Sequence, residues 1–356
     1  MDSSSYPVLT LPTEIVCKIF TYFLPIYPLC PPLFGITSPT TLTQICRPWR
    51  EVALGTPVLW RAMELAMDGT PIERQLAAIA IWLRRSGGWP LSIRTALLPH
   101  LEDLSDFVAL IALHRARWEH LDLHLVPEHL PTLEGSMPLL RRFHLELTRA
   151  PGIRSPRAAV AFQDARLLRE VKLDDVAAEH VILPWAQLTS LRLNRVYPRE
   201  CVAILKETPN LVYCELRLFD DHHASPVPDI LHPHLETLIL LEGQGPVANY
   251  LGTFIVPSLL TLRVPEPFLG PSPIDSLASF ISKSRCELKD VRITNRTLVL
   301  GDDYRKAFPS IEAFSFSRYH GGRSPTDGGH SDSPDFEDHS DPPDVEDNSD
   351  VIIIGH

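Results

Sequence analysis

The sequence predicts an α/β protein with three parts: short N-terminal helices, a long array of repeated strands, and an acidic C-terminal tail. Three observations lead to this prediction. Two amphipathic segments separated by prolines open the chain. An apolar pattern of six residues then recurs at nearly regular intervals from Trp118 to Phe316. Finally, ten acidic residues lie between Asp327 and Asp350, and no lysine or arginine follows Arg323.

Composition and charge place the chain in the globular class. It has 356 residues, 44% hydrophobic and 22% charged, and it has no apolar run near the ~18 residues that a membrane span needs. The start MDSSSYPVLT lacks the basic region and apolar core of a secretory signal. Six scattered cysteines without a C-x-x-C pair predict reduced thiols rather than disulfides or a zinc site. We therefore expect a cytoplasmic or nuclear protein.

The first sixty residues predict three short helical pieces. Residues 13–23 place apolar side chains at helical spacing, and Pro12 suits a helix start because its missing N–H is not needed there. Prolines between residues 25 and 39 exclude regular structure as far as Thr40. The next helix should break near Pro48, and residues 56–60 begin a third piece. Helices this short are marginal alone, so they need a packing partner.

The order and spacing of apolar residues in this segment carry a family resemblance. The residues concerned are Leu11-Pro12, Glu14-Ile15, Ile19-Phe20, Leu42, Ile45-Cys46, Trp49-Arg50, Ala53 and Leu59-Trp60. The segment resembles an F-box, the three-helix module of SCF-type ubiquitin ligases, in the form found in F-box-like proteins of mushroom-forming fungi. Apart from the resemblance, the same helices could serve as a cap on the following domain, because the ends of a repeat array need capping.

The resemblance implies docking on the Skp-type adaptor of a cullin-RING ligase. The positions expected to make that apolar contact, or the packing that presents it, are Leu11, Pro12, Ile15, Ile19, Phe20, Leu42, Ile45, Trp49 and Trp60. Three helices also need an internal core, so not all of these side chains can lie at the interface.

After a linking helix predicted at residues 72–85 and a first strand beginning at residues 90–95, the chain repeats one pattern. The pattern is an apolar anchor, two residues, an apolar residue, one residue, and another apolar residue. Its anchors are Trp118, Leu140, Leu168, Leu188, Leu211, Leu235, Leu259, Leu288 and Ile311. They are 20 to 29 residues apart, which is the range of leucine-rich repeats. The sequence therefore predicts an irregular leucine-rich-repeat solenoid.

Each six-residue pattern predicts one strand of that solenoid. Alternate residues of a strand face opposite sides, so the last two apolar positions point to one side. The intervening residues return the chain along an outer layer, as helices at residues 199–210 and 272–286. A single repeat cannot bury its apolar side alone, and stacked neighbours form one continuous core.

The residue midway between the last two apolar positions of each hexamer should lie on the concave wall, where partners of leucine-rich-repeat proteins usually bind. This column contains Asp122, His144, Lys172, Arg192, Glu215, Ile239, Arg263, Arg292 and Ser315. The basic members His144, Lys172, Arg192, Arg263 and Arg292 are candidates for binding an acidic or phosphorylated substrate, because arginine offers a bidentate fork to phosphate or carboxylate. The alternative is a solvated strand face of ordinary mixed charge.

The C-terminal tail repeats SDSPDFEDH as SDPPDVEDN, and this composition predicts disorder. Directly after acid it carries Val351, Ile352, Ile353 and Ile354, which resemble a SUMO-interacting motif that adds a short strand to a sheet edge. A strand that docks on the protein itself and a chance apolar terminus are the alternatives. A further hypothesis places the acidic tail across the basic wall, in competition with substrate.

Motifs of catalysis are missing from the sequence. It has no G-x-S-x-G, P-loop or H-E-x-x-H pattern, and DDHH with two later histidines is typical of a proline-rich loop rather than a metal site. We therefore expect no catalytic residues, no cofactor and no metal.

The resulting hypothesis is a non-enzymatic, substrate-recognition adaptor of an SCF-type E3 ubiquitin ligase. It has an F-box-like domain at residues 1–68, a linking helix at 69–88, the leucine-rich-repeat solenoid at 89–320 and the acidic tail at 321–356. The alternative is an interaction scaffold without ligase association.

Overall fold

The computed structural model describes residues 11–66, 69–95, 104–148, 159–175, 177–219, 228–242, 250–295 and 299–317. They belong to one compact unit, Met1–Tyr319. The α-helices are α1 (Thr13–Phe23), α2 (Pro39–Ile45), α3 (Arg47–Leu54), α4 (Ile72–Arg85), α5 (Ser105–Ala112), α6 (Leu130–Leu133), α7 (Pro198–Lys206), α8 (Pro273–Ser284) and α9 (Gly301–Ala307). None of these helices is long and apolar enough to cross a bilayer.

The strands fall into one large and two small sheets. They are β1 (Ala62–Leu65), β2 (Leu91–Thr95), β3 (Trp118–Leu125), β4 (Gly135–Ser136), β5 (Arg142–Leu147), β6 (Val160–Gln163), β7 (Glu170–Asp175), β8 (Val181–Ile182), β9 (Ser190–Val196), β10 (Tyr213–Leu218), β11 (Ile230–Leu231), β12 (Thr237–Glu242), β13 (Phe254–Ile255), β14 (Thr261–Pro265), β15 (Asp290–Thr294) and β16 (Ala313–Ser317). The eleven-stranded sheet has the order β1-β2-β3-β5-β7-β9-β10-β12-β14-β15-β16, while β4-β6-β8 and β11-β13 form the small ones.

The large sheet is parallel throughout, and its strands are adjacent in the order in which they occur in the chain. All nine apolar hexamers contribute one strand each, from β3 to β16. The predicted α/β class and the side-by-side parallel packing of the hexamers are therefore confirmed. Parallel neighbours require a crossover of a dozen or more residues, which the 20 to 29 residues between anchors provide.

The core is the inward face of this sheet. The two inward positions of each strand are buried from β3 to β15, as Leu216 and Cys214 of β10 illustrate. In β16 the corresponding Phe314 and Phe316 are only partly buried, because this strand has a sheet neighbour on one side alone in the described chain. Leucine predominates at these positions since a row of similar side chains from successive strands stacks without gaps.

The return segments cover the core from the other side. Helix α7 begins with Pro198 in its first turn and buries Cys201 and Leu205, and α8 begins with Pro273 and buries Leu277. Helix α8 lies within the segment in which the sequence predicted it, α7 begins one residue before its predicted segment and ends four residues earlier, and the linking helix α4 has the predicted bounds.

One strand escaped the sequence prediction. The first strand is not the segment after Trp89 but β1, whose Ala62–Leu65 follow the third helical piece directly and pair with β2. A strand of four residues is too short for its alternating pattern to be recognised in the sequence. The predicted helix break is observed, since α2 ends at Ile45 and α3 restarts after Cys46 with Pro48 in its first turn.

The N-terminal helices pack on the first edge of the sheet. Trp60 lies at their centre: its indole N–H donates to the Ala53 carbonyl at 3.0 Å, and its ring meets Trp82 of α4 edge-on at 5.5 Å. The proline-rich segment after α1 is fixed as well. Ser92 of β2 donates to the Pro28 carbonyl at 2.7 Å, and the Tyr27 hydroxyl donates to Glu119 of β3 at 2.8 Å.

Candidate binding surfaces

Helix α1 carries apolar side chains on two sides. Val16 and Phe20, four residues apart, lie in the core, and the Phe20 ring packs edge-on against Trp49 at 5.0 Å. Ile15 and Ile19, also four residues apart, are 45% and 44% exposed. Pairs at this spacing share one face of a helix, so α1 needs two packing surfaces. The described part of the chain covers only one of them.

The structure divides the nine predicted docking residues into two groups. Phe20, Leu42 and Trp60 are buried and Trp49 is half-buried, so these side chains support the surface and the three buried ones are not accessible to a partner. The exposed group is Leu11, Pro12, Ile15, Ile19 and Ile45. We call the exposed apolar side of α1 the docking face, which consists of Leu11, Ile15, Ile19, Tyr22 and Phe23.

An apolar cleft of about 280 Å³ continues the docking face at the C-terminal end of α1. Tyr22 belongs to both, and Ile26 and Leu29 of the proline-rich segment line the cleft opposite Leu59. Ile26 is 85% exposed although it is large and apolar. The helix and the cleft together therefore form one apolar surface, larger than the single exposed side chains that soluble proteins commonly tolerate.

The second candidate surface is the outward face of the large sheet. The predicted column is in direct register: each of its members, from Asp122 on β3 to Ser315 on β16, is the Cα partner of the next. Glu64 of β1 and Arg94 of β2 extend the same row at its start. Strands lie about 4.8 Å apart, so consecutive members of the row are close enough to interact.

In the first half of this row, acidic neighbours accompany the basic side chains. Arg94 lies 3.8 Å from Glu64 and 3.5 Å from Asp122. His144 lies between Asp122, at 2.6 Å from Nδ1, and Asp174, at 3.0 Å from Nε2. We call the outward face of β1–β9 the paired half. Its remaining ion pairs include Lys172–Asp174 at 3.4 Å, Arg142–Glu170 at 2.9 Å, Arg195–Glu146 at 3.2 Å and Arg192–Glu215 at 3.7 Å, the last reaching β10.

The ionisation of the paired half follows from these contacts. Burial disfavours a charged His144, but its hydrogen bonds to Asp122 and Asp174 outweigh burial and raise its pKa above the ordinary value. Burial also opposes the charges of Asp122 and Asp174, yet His144 lowers the pKa of both carboxyls. Three of the five predicted substrate-binding residues, His144, Lys172 and Arg192, therefore have their charge engaged within the protein.

In the second half of the row, the arginines have no such neighbours. Arg263 of β14 and Arg292 of β15 are Cα partners, and Arg217 of β10 points from the same face two positions further along its strand than Glu215. Among the described residues, none of the three forms an ion pair. The Nε atoms of Arg217 and Arg263 are buried without a hydrogen-bond partner, as is that of Arg192 in the paired half, so the missing ion pairs are what distinguish these arginines. We call Arg217, Arg263 and Arg292 the arginine cluster.

The electrostatics of the cluster differ from those of the paired half. The pKa of Arg263 is lowered, first by burial and then by the positive charge of Arg292. Half-buried Ile239 and Leu241 of β12 lie between the strands of Arg217 and Arg263. The charge of Glu215 acts in the opposite direction but does not outweigh these effects, so the cluster is a concentration of positive charge without ion-pair partners next to apolar side chains.

Sequence reasoning missed two groups at these surfaces. Arg217 and Asp174 occupy the position just after a hexamer, which by the two-residue period shares the outward face. Reading that position as a second column would have found them. Tyr22 lies three residues after Ile19 on α1, so the helical period would have found it, whereas Ile26 carried no such signal because the proline-rich segment has no period.

Several sequence predictions lie outside the described residues. These are the SUMO-interacting candidate Val351, Ile352, Ile353 and Ile354, the acidic tail that contains it, and most of the histidine-containing loop after β10. They stay predictions. Within the described ranges, no group of three or more His, Cys, Asp or Glu side chains could hold a metal ion.

Both candidate surfaces have the properties of binding sites for other molecules. One surface is apolar and helical, the other polar, with charge that is balanced in one half and unbalanced in the other. Comparison of the chain with protein-family models and with curated proteins found no match.

Proposed function

We propose that the protein is a non-catalytic adaptor that docks on a Skp-type ligase component through the N-terminal helices and holds a protein substrate on the outward face of the sheet. The F-box resemblance of residues 11–60 names the docking partner, and the repeat pattern, interpreted as an irregular leucine-rich-repeat solenoid, names the substrate platform. Tethering a substrate near a ubiquitin-loaded enzyme raises the local concentration of its lysines without any chemistry in the adaptor.

The observation that carries the proposal is the apolar docking face. A helical cap on a repeat array has a polar outer face, because that face remains in water. Here Ile15 and Ile19 are almost half exposed, and Tyr22 is 79% exposed. Exposed apolar side chains grouped at helical spacing beside an apolar cleft favour a surface that another protein covers.

The second candidate is an interaction scaffold whose helices only cap the sheet. It is favoured by the firm attachment of the N-terminal segment, in which Tyr27 and Pro28 are hydrogen-bonded to later parts of the chain and the Trp60 ring packs against Trp82. Both functions need this attachment, but only the adaptor needs the docking face to remain free.

Binding of the full chain to a purified Skp-type adaptor separates the two functions. We expect Ile19→Asp to weaken binding by about thirtyfold or more, because a charge placed in an apolar interface costs about 2 kcal/mol or more. The matched control is Leu113→Asp, which also places a charge at an exposed apolar side chain but lies after α5, away from α1. Circular dichroism should show both variants folded. Failure of the unaltered chain to bind the adaptor would support the scaffold.

A further inference from the structure

We propose that the arginine cluster, together with Ile239 and Leu241, is a binding site for a phosphorylated peptide segment that has an apolar side chain next to the phosphorylated residue. This deepens the proposed substrate-holding role of the sheet, and it places recognition in the second half of the face rather than along the whole predicted column.

The first argument is the state of the guanidinium groups. Half-buried charges in proteins are normally paired, yet neither Arg217 nor Arg263 forms an ion pair within the described chain. Arg263 and Arg292 are directly opposite on adjacent parallel strands, where like charges repel. The nearest acid of the same row, Glu215, is already engaged by Arg192 at 3.7 Å and by the Tyr213 hydroxyl at 2.6 Å. An anion bound from outside at the terminal nitrogens of the guanidinium groups would relieve the repulsion between the two arginines.

The second argument concerns the kind of anion. A phosphoryl group carries a charge of about −1.5 to −2 and three acceptor oxygens, whereas a carboxylate carries one charge and two oxygens. Three guanidinium groups on the outward face of β10, β14 and β15 therefore match phosphate better than carboxylate. Lysine would not serve equally, because it lacks the planar fork that arginine presents to a phosphate.

The third argument concerns what carries the phosphate. Ile239 stands in the row between Glu215 and Arg263, and Leu241 is the Cα partner of Arg217. Apolar side chains beside the cluster fit an apolar neighbour of the phosphorylated residue, which free phosphate lacks. The arginines of the paired half are engaged by carboxylates such as Glu64 and Glu146, so a long polyanion such as nucleic acid would find no continuous positive surface on this face.

The test uses the full chain and a fluorescent peptide library in which one phosphothreonine is fixed, a leucine is placed one to four residues away, and other positions are degenerate. Matched libraries carry threonine or glutamate in place of the phosphothreonine. We expect the phosphorylated library to bind at least about tenfold more tightly than the threonine library, because charge-assisted hydrogen bonds are being added. We also expect a preference for one leucine spacing. Equal binding of the phosphorylated and threonine libraries would overturn the proposal.

Variants locate the site. Arg263→Gln and Arg292→Gln should each weaken binding of the phosphorylated library by about tenfold, since each removes one charged donor. Arg142→Gln is the matched control, because Arg142 lies on the outward face of β5 but is paired with Glu170, and it should leave binding within about twofold. Ile239→Thr should abolish the preference for leucine spacing while inorganic phosphate competes as before. Equal losses in Arg142→Gln and Arg263→Gln would overturn the assignment to the cluster.

Two further measurements decide the source of the phosphate. Inorganic phosphate that binds as tightly as the best peptide would contradict the peptide assignment, and so would a single-stranded oligonucleotide that binds more tightly than it. The outcome is separable from that of the adaptor proposal: Ile19→Asp should leave peptide binding unchanged, and Arg263→Gln should leave binding of the Skp-type component unchanged.

Discussion

The outward face of strands β1–β9 and that of strands β10–β16 use the same positions of the same repeated unit, but they treat charge in opposite ways. In the first, Arg94, His144 and Lys172 each lie within 4 Å of a carboxylate on the same or a neighbouring strand. In the second, Arg263 and Arg292 face each other, and no carboxylate pairs with them in the described chain. Strands with the same backbone arrangement therefore differ in whether their outward charges are paired.

The difference teaches where binding capacity resides. Groups that satisfy one another contribute to the stability of the folded chain and offer little to a ligand, which would have to displace an existing partner. Groups left without partners cost stability and can be satisfied only from outside. The basic column predicted from the sequence contains both paired and unpaired side chains. Which of them are paired depends on the residues that the neighbouring strands place beside them.

The comparison is tested most strongly at Asp174. Its carboxylate is buried and contacts both His144, at 3.0 Å, and Lys172, at 3.4 Å. Asp174→Ala leaves two cations without this partner, and we expect a loss of about 3 kcal/mol in the free energy of unfolding, measured with urea. Asp302→Ala breaks an exposed pair with Arg305 in α9 and should cost less than about 0.5 kcal/mol. Equal small losses would mean that the paired half is not held together by its charges.

Much of the fold could be predicted from the sequence because a single period governs it. Leu216, Leu240 and Val264 stand at the same place in successive hexamers, and their burial follows from stacking alone. Strand β1 and the attachment of Pro28 to Ser92 have no period, so nothing local announces them. Such contacts form between segments that are distant in sequence, and the tertiary fold of the whole chain determines which segments meet.

The candidate sites were predictable only in part for the same reason. The row from Asp122 to Ser315 followed from the repeat, but whether a basic member is paired depends on which residue the next strand presents. For His144 the neighbours are Asp122 and, two residues beyond its Cα partner on β7, Asp174. For α1, the spacing of Ile15 and Ile19 indicated a helix face, while their exposure follows because Val16 and Phe20 form the face of the helix that is buried in the core.

The pH dependence of stability should distinguish the two halves next. Because His144 has a raised pKa in the folded state, its protonated form adds stability that is complete below about pH 6.5, the unfolded value, and is lost as pH rises through the folded pKa. The depressed pKa values of Asp122 and Asp174 add stability above about pH 4 that is lost as pH falls. The advantage of the natural chain over His144→Gln should therefore be greatest between about pH 4 and 6.5.

Melting temperatures of the two proteins from pH 4 to 9 measure that difference. His120, whose pKa burial lowers to about 4, titrates in both and cancels in the subtraction. We expect the difference in Tm to shrink steadily above about pH 6.5. A difference that stays constant over the range would show that His144 acts through packing and not through its charge.

The smallest effect expected has the opposite sign. Arg263→Gln removes a charge that faces Arg292 and whose pKa burial already lowers, so the free energy of unfolding should stay unchanged or rise by up to about 0.5 kcal/mol. Arg192→Gln, which removes a partner of Glu215 at 3.7 Å, should lower it by a similar amount. Added salt should bring the two variants closer to the natural chain, because screening weakens both the repulsion and the attraction. A loss of stability in Arg263→Gln as large as that in Arg192→Gln would mean that Arg263 has a compensating partner after all, and the contrast between the halves would then lie in geometry rather than in charge.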